Sequence, residues 1–109
     1  MPNFYKVLGQ VNPSAITATT LYTVPASRST VVSTISVANL SATAATFRIA
    51  IRIGGAALAN TQYVAYDVVL TGNEAKAFTL GITLATTDVI TVYASTANVA
   101  FSAFGTEIS

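Results

Sequence analysis

The chain has 109 residues, 52% of them apolar and only 8% charged, with a net charge of +1 and neither cysteine nor histidine. That length fits one domain, residues 1–109, and that apolar share builds one core without covalent staples. The missing residue types exclude disulfide frameworks, thiol chemistry, thiolate and imidazole metal ligands, and the side chain best suited to proton transfer near neutral pH.

Strands are expected along the whole chain, because β-branched residues, apolar–polar alternation and closely spaced turn residues coincide. Phe4 to Leu8 reads as a first, peripheral strand, and residues 1–10 as an N-terminal arm or edge strand. Asn12-Pro13-Ser14 is a turn, and Leu21 to Val24 a short strand closed by Pro25-Ala26-Ser27. Thr30 to Leu40 is a longer strand, with Ile35 and Val37 on one face and Thr34, Ser36 and Ala38 on the other. Ala45 to Ile53 has the cleanest pattern: Phe47, Ile49, Ile51 and Ile53 point one way and Thr46, Arg48, Ala50 and Arg52 the other. Gly54-Gly55 ends it, and residues 56–60 suit one helical turn. Gln62 to Leu70 resumes the alternation, with Val64, Tyr66, Val68 and Leu70 inward. Thr71-Gly72-Asn73-Glu74 is hairpin-like. Phe78, Leu80, Ile82 and Leu84 form the next inward set, and Thr86-Thr87-Asp88 turns into Val89 to Ser95. After a turn at Asn98, Val99, Phe101 and Ala103 alternate with Ala100, Ser102 and Phe104. Seven to eight strands with almost no helix predict an all-β fold, an antiparallel β-sandwich of jelly-roll or immunoglobulin-like type.

The charged residues are Lys6, Arg28, Arg48, Arg52 and Lys76 against Asp67, Glu74, Asp88 and Glu107. Ordinary soluble domains carry roughly a quarter charged residues. A balance of +1 gives no electrostatic footprint for nucleic acid and no basic cluster for an anionic membrane. Free monomers ordinarily carry more charge for solubility. A surface of Ser, Thr and Ala therefore points to one covered by neighbouring subunits, the alternative being a neutral β-domain kept soluble by its hydroxyls. The uncharged stretches Val7 to Ser27 and Ser29 to Phe47 are too rich in Ser, Thr and Asn for a spanning helix, which needs about 20 predominantly apolar residues. No apolar signal-peptide region follows Met1, so assembly in a cytoplasm is expected.

Candidate chemistry is sparse. Glu74 and Asp88 fall in turns, Asp67 on the polar phase of a strand and Glu107 in the tail, with no spacing that implies a facing carboxylate pair. Serine and threonine nucleophiles lack a histidine base, leaving only a Ser–Lys dyad with Lys6 or Lys76. Gly54-Gly55 lacks the following Lys-Ser or Lys-Thr of a phosphate loop. Calcium is the metal least excluded, through Asp67, Asn73 and Asp88, although no D-x-D-x-D run exists. No catalytic residue, cofactor or metal is expected. Arg48 and Arg52 share one strand face: they form either a docking stripe for acidic groups on a partner or a pair of edge-guarding charges. Tyr5, Tyr22, Tyr63, Tyr66 and Tyr93 serve either as sugar-stacking platforms or as core and interface filling, with Tyr66 in phase with the core.

Seven stretches together resemble a group of small β-rich proteins encoded by tailed bacteriophages. They are Leu21 to Ala26, Thr30 to Val37, Ala45 to Ile51, Tyr63 to Asp67, Leu80 to Leu84, Asp88 to Ala94 and the Phe101 to Ile108 tail. The resemblance runs over most of the chain. It implies a virion part: an accessory protein of capsid, neck or collar, tail or fibre, repeated with symmetry. Many of that group carry a cysteine in the strand corresponding to Ser36 to Leu40, where this chain has Val37-Ala38-Asn39, so no thiol role carries over. The expected partners are copies of the chain itself, a trimer among the options, and other virion proteins, with no nucleic acid and no membrane. The alternative is a carbohydrate- or receptor-binding module on a fibre or head decoration, which requires exposed tyrosines in a shallow groove.

Overall fold

The alternation that announces the strands also decides which side of each is buried. In the computed structural model, which describes residues 3–79 and 81–109, nine strands are found: β1 (Asn3–Val11), β2 (Thr19–Thr23), β3 (Ser29–Asn39), β4 (Ala45–Arg52), β5 (Tyr63–Leu70), β6 (Ala75–Phe78), β7 (Ile82–Leu84), β8 (Val89–Ala94) and β9 (Val99–Ile108). Met1, Pro2 and the expected inward Leu80 lie outside the described residues. No helix of the described residues is long and apolar enough to cross a membrane.

All strand pairs are antiparallel. One sheet runs β1-β9-β3-β6, with β7 also on β3, and the other runs β2-β8-β4-β5. Strands β6 and β7 occupy successive stretches of the same flank of β3, so the nine segments fill eight strand positions. Apart from β4 to β5 and β6 to β7, every connection crosses from one sheet to the other. That winding is the jelly roll, which decides between the two sandwich types the sequence leaves open.

Inward side chains of the two sheets meet in one core. Phe47 of β4 packs edge-on to Phe101 of β9 at 6.0 Å and against Phe78 of β6 at 5.7 Å, between fully buried Ile35, Ile49 and Ile90. Burying each such side chain contributes roughly 1.5–3 kcal/mol. Along one flank the sheets approach closely, and a Cβ on Gly9 of β1 would collide with the Leu21 carbonyl of β2.

The connections gather at two ends. Residues 12–18, 40–44, 71–74 and 95–98 are tied at one end, for example by Leu40 N–H to the Asn98 carbonyl (2.7 Å) and Asn73 N–H to the Ser41 carbonyl (2.8 Å). Residues 24–28, 53–62 and 85–88 gather at the other, where Asp88 accepts Gly54 N–H (2.8 Å) and Ala85 N–H (2.9 Å).

Four local expectations are corrected. Ile53 turns out to solvent at 76% exposure, because the chain leaves β4 there into a 3-10 turn, Ile53–Gly55, with Gly54 and Gly55 at φ +62° and +73°. The expected helical turn at 56–60 is instead an irregular stretch followed by a second 3-10 turn, Asn60–Gln62. The turn at 71–74 joins β5 to β6 across the two sheets, so it closes no hairpin. In β5, Val68 and Leu70 point inward as expected, but Val64 and Tyr66 are exposed, because a bulge inverts the phase.

Candidate functional site

The outer face of the β2-β8-β4-β5 sheet concentrates the aromatic and cationic side chains singled out from the sequence. Its centre is Arg48 on β4, flanked by β8 and β5. The cross-strand partner of Arg48 on β8 is Tyr93, and its guanidinium lies 4.5 Å from the centre of that ring. On the β5 side the pairing jumps from Phe47↔Val68 to Ile49↔Ala65, so Tyr66 and Asp67 together oppose Arg48. This bulge holds Asp67 at φ +50°, in the left-handed region that Asp tolerates better than most residues. It turns Tyr66 outward, with its ring centre 4.2 Å from the Arg48 guanidinium.

Asp67 completes the unit. Arg48 Nε donates to Oδ1 at 2.6 Å and Nη2 to Oδ2 at 3.2 Å, a two-point carboxylate clamp. The Arg48 hydrogen bond is the main cause that holds the Asp67 carboxyl below its ordinary range, and the same bond raises the guanidinium's hold on its proton. The ladder Tyr66–Arg48–Tyr93, with Asp67 beside it, is thus electrically neutral and braced by stacking and hydrogen bonds.

Arg52 lies on the same face two residues beyond Ala50, as the shared phase predicts. Its guanidinium donates to the carbonyls of Ala56 (2.7 Å) and Gly55 (2.9 Å) and to Thr91 Oγ1 (3.4 Å), pinning the loop after β4. β4 sits inside its sheet, so Arg48 and Arg52 guard no edge, and that reading is overturned. The two do form one outward stripe, but the cationic groups are bonded within the chain.

Beside the ladder, Tyr63, Tyr66 and Asn60 line an open groove of about 330 Å³. The two rings meet edge to face, 4.9 Å apart and 82° between planes. Tyr66 is 55% exposed, which corrects its expected core position. Tyr22, by contrast, is buried in the core, and Tyr5 on β1 is 79% exposed.

A second cluster escaped the sequence reading. Glu107, expected in an exposed tail, lies in β9 between β1 and β3 and is 1% exposed. Its carboxylate accepts from the Tyr22 hydroxyl (2.6 Å), Arg28 Nη1 (2.7 Å) and Lys6 Nζ (3.2 Å). Thr30 Oγ1 is 2.9 Å from the Tyr22 hydroxyl. The Tyr22 bond, then the two cations, holds the Glu107 carboxyl below its ordinary range against the opposing effect of burial. Burial, reinforced by Glu107, pushes the Tyr22 hydroxyl up to about 12. Arg28 also stacks on the Phe4 ring at 4.5 Å, fastening β1. Thr30 and Glu107 are strand partners, and the bonds to Glu107 span 79 to 101 residues of sequence, so they carry no local signal.

The remaining candidates do not converge. Glu74 sits at one end of the sandwich, bonded to Thr71 N–H at 2.8 Å, and Asp88 at the other. Asp67 lies between them on the outer face, and Asn73 shares the end with Glu74. Among the described residues no group of three acidic side chains is placed to hold a metal ion. Lys6 is engaged by Glu107, and Lys76 Nζ donates to the Val69 carbonyl at 2.9 Å. No family model, curated protein or solved structure matches this chain.

Proposed function

We propose that this chain is a structural or accessory component of a tailed-phage virion, acting by symmetric self-assembly and by docking on neighbouring virion proteins. One observation carries the proposal: every one of the five basic and four acidic side chains is bonded within the chain. Those bonds leave the charges in place, but the charges are few and balance to +1, so the outer surface is dominated by Ser, Thr and Ala and interrupted by exposed apolar side chains such as Phe4, Tyr5, Val7, Ile16, Leu40 and Val69. Such a surface lacks the charge that keeps free monomers apart. Covering it gains roughly 25 cal/mol per Å² of apolar area before association costs. The jelly roll itself recurs in viral capsid domains, a fold-level analogy that agrees with the resemblance of the sequence stretches.

Strand β1 supplies the means. It is an edge strand whose later half is backed by β2 at Gly9, whereas Asn3–Val7 carries a free flank with exposed Phe4, Tyr5 and Val7. Edges of soluble monomers are ordinarily guarded by an outward charge. Here the one charge in that stretch, Lys6, is drawn to Glu107, so the flank is open to strand addition by a neighbouring copy. Light scattering of the purified chain is expected to give a closed oligomer, and antibodies to the chain to label intact particles. A clean monomer at high concentration, missing from purified particles, overturns the proposal.

A further inference from the structure

We infer that the groove of Tyr63, Tyr66 and Asn60 binds a neutral pyranose ring of a glycan. The inference stands apart from the assembly proposal, because the groove lies at the β5 edge of its sheet whereas β1 borders the other sheet at the flank where β2 backs it.

Backbone geometry is the first support. By phase Tyr66 belongs to the core, and a regular β5 would bury it. The bulge at Tyr66–Asp67, with Asp67 in the left-handed region, delivers the ring to solvent instead. Bulges that re-aim a side chain recur beside binding sites. The ring is then held: Arg48 covers one side of it, and Arg48 is itself fixed by Asp67 and Tyr93. A half-exposed aromatic already packed against Arg48 and Tyr63 has less freedom to lose when a ligand stacks on it.

Ligand class follows from charge and shape. A cation would meet the Arg48 guanidinium only 4.2 Å from the Tyr66 ring centre, so a cation-binding aromatic cage is disfavoured. An anion would meet a guanidinium already clamped by the Asp67 carboxylate. A neutral ligand is left. The edge-to-face rings make a corner, not the parallel ridges between which an extended proline-rich peptide threads. A corner suits one saturated ring, whose C–H face meets the electron-rich face of tyrosine while its hydroxyls reach the wet rim. At that rim Asn60 offers an amide donor and acceptor together, and the two phenolic hydroxyls offer more. The volume of about 330 Å³ is at the small end of the roughly 300–1,000 Å³ of ligand sites, as a one- or two-ring ligand requires.

The test uses the full chain, labelled for NMR, titrated with the methyl pyranosides of glucose, galactose, mannose and N-acetylglucosamine, and with maltotriose and chitotriose. At least one probe is expected to shift the amides of Asn60, Tyr63 and Tyr66. Tyr66→Ala should weaken that probe about tenfold or more, and Asn60→Ala should also weaken it. Tyr66→Phe, which keeps the ring face, should retain most of the binding, and Tyr5→Ala, at a more exposed tyrosine on the other sheet, should leave the affinity for that probe unchanged. Thermal melts of each variant check that the fold is intact. The inference is overturned if none of the probes shifts these amides, if Tyr66→Ala binds as well as the parent, or if a polyproline peptide occupies the groove in their place. Oligomer size is read separately by light scattering, so this result and the assembly result stand or fall independently.

Discussion

The Tyr22 hydroxyl donates a 2.6 Å hydrogen bond to Glu107 Oε2, joining β2 of one sheet to β9 of the other inside the sandwich. A bond to a buried carboxylate is worth more than one between neutral groups. Tyr22→Phe, which leaves the ring in place, is therefore expected to lower unfolding stability by about 2 kcal/mol. Glu107→Ala should cost more, about 3 kcal/mol, because Arg28 and Lys6 lose their shared anion and a void opens. Partial exposure of both cations, whose side chains are 32% and 48% accessible, lets water relieve part of that cost. Urea unfolding followed by far-UV circular dichroism measures both values.

The same pair fixes how stability depends on pH. Glu107 binds its proton less readily folded than at its ordinary value of 4.5. Its contribution is full above that value and is lost as pH falls through the lower, folded one. Asp67 and Glu74 are shifted the same way and add to the acid limb. Tyr22 has the opposite shift, from 10.0 to about 12, so its contribution is full below pH 10 and is lost as pH rises through about 12. With no histidine in the chain, a plateau is expected between the two limbs. Melting temperature against pH should show this profile, and Tyr22→Phe should shrink the alkaline limb.

What the sequence reveals and what it conceals divides along the range of the cause. In β4 the inward Phe47 and Ile49 and the outward Arg48 follow from period-two alternation, which each residue reports about its own strand. In β3 the alternation holds for Ile35 and Val37, although a register shift between Val32 and Thr34 changes the phase upstream. The phase of β5 was legible only beyond the bulge, at Val68 and Leu70, because an Asp at positive φ leaves no mark in an alternating pattern. Glu107 is the extreme case. A carboxylate near a chain end reads as solvated, and its burial depends on Lys6, Tyr22 and Arg28, which reach it through the jelly-roll winding alone. The Arg48–Arg52 stripe was legible as a face, but the partners of each guanidinium, Asp67 and the loop after β4, were not.

Gly9 marks the line along which the sheets touch. Its missing side chain lets the Leu21 carbonyl approach the β1 backbone. Gly9→Ala must push β1 away from β2, and the overpacking is expected to cost about 1–3 kcal/mol. Hydrogen exchange should show the opening in β1 and β2, with the β4–β8 pair unaffected.

Arg48→Lys keeps the charge and gives up the planar clamp and the stacking on two rings. Arg48 and Asp67 are solvent-accessible, so global stability should change little. The amides of Tyr66 and Asp67 should instead exchange faster, and the Tyr66 ring signals should broaden as the bulge loosens. Unchanged exchange across residues 65–68 would show that the bulge is held by the backbone alone.

The edge of β1 gives the most direct test of assembly. Tyr5 is 79% exposed and Val7 is also exposed, and neither contributes to the core. A lysine at either site restores the outward charge that edge strands of monomers carry. Tyr5→Lys and Val7→Lys should therefore leave the melting temperature of the folded unit nearly unchanged while shifting the light-scattering mass to a smaller species. The shift should weaken as salt screens the added charges, with a screening length of about 10 Å at 0.1 M. Thr20→Lys, on the exposed side of the edge strand of the opposite sheet, is the matched control and should leave the mass of the assembly as it was. If the lysine variants of β1 assemble as well as the parent chain, the subunits meet through another face.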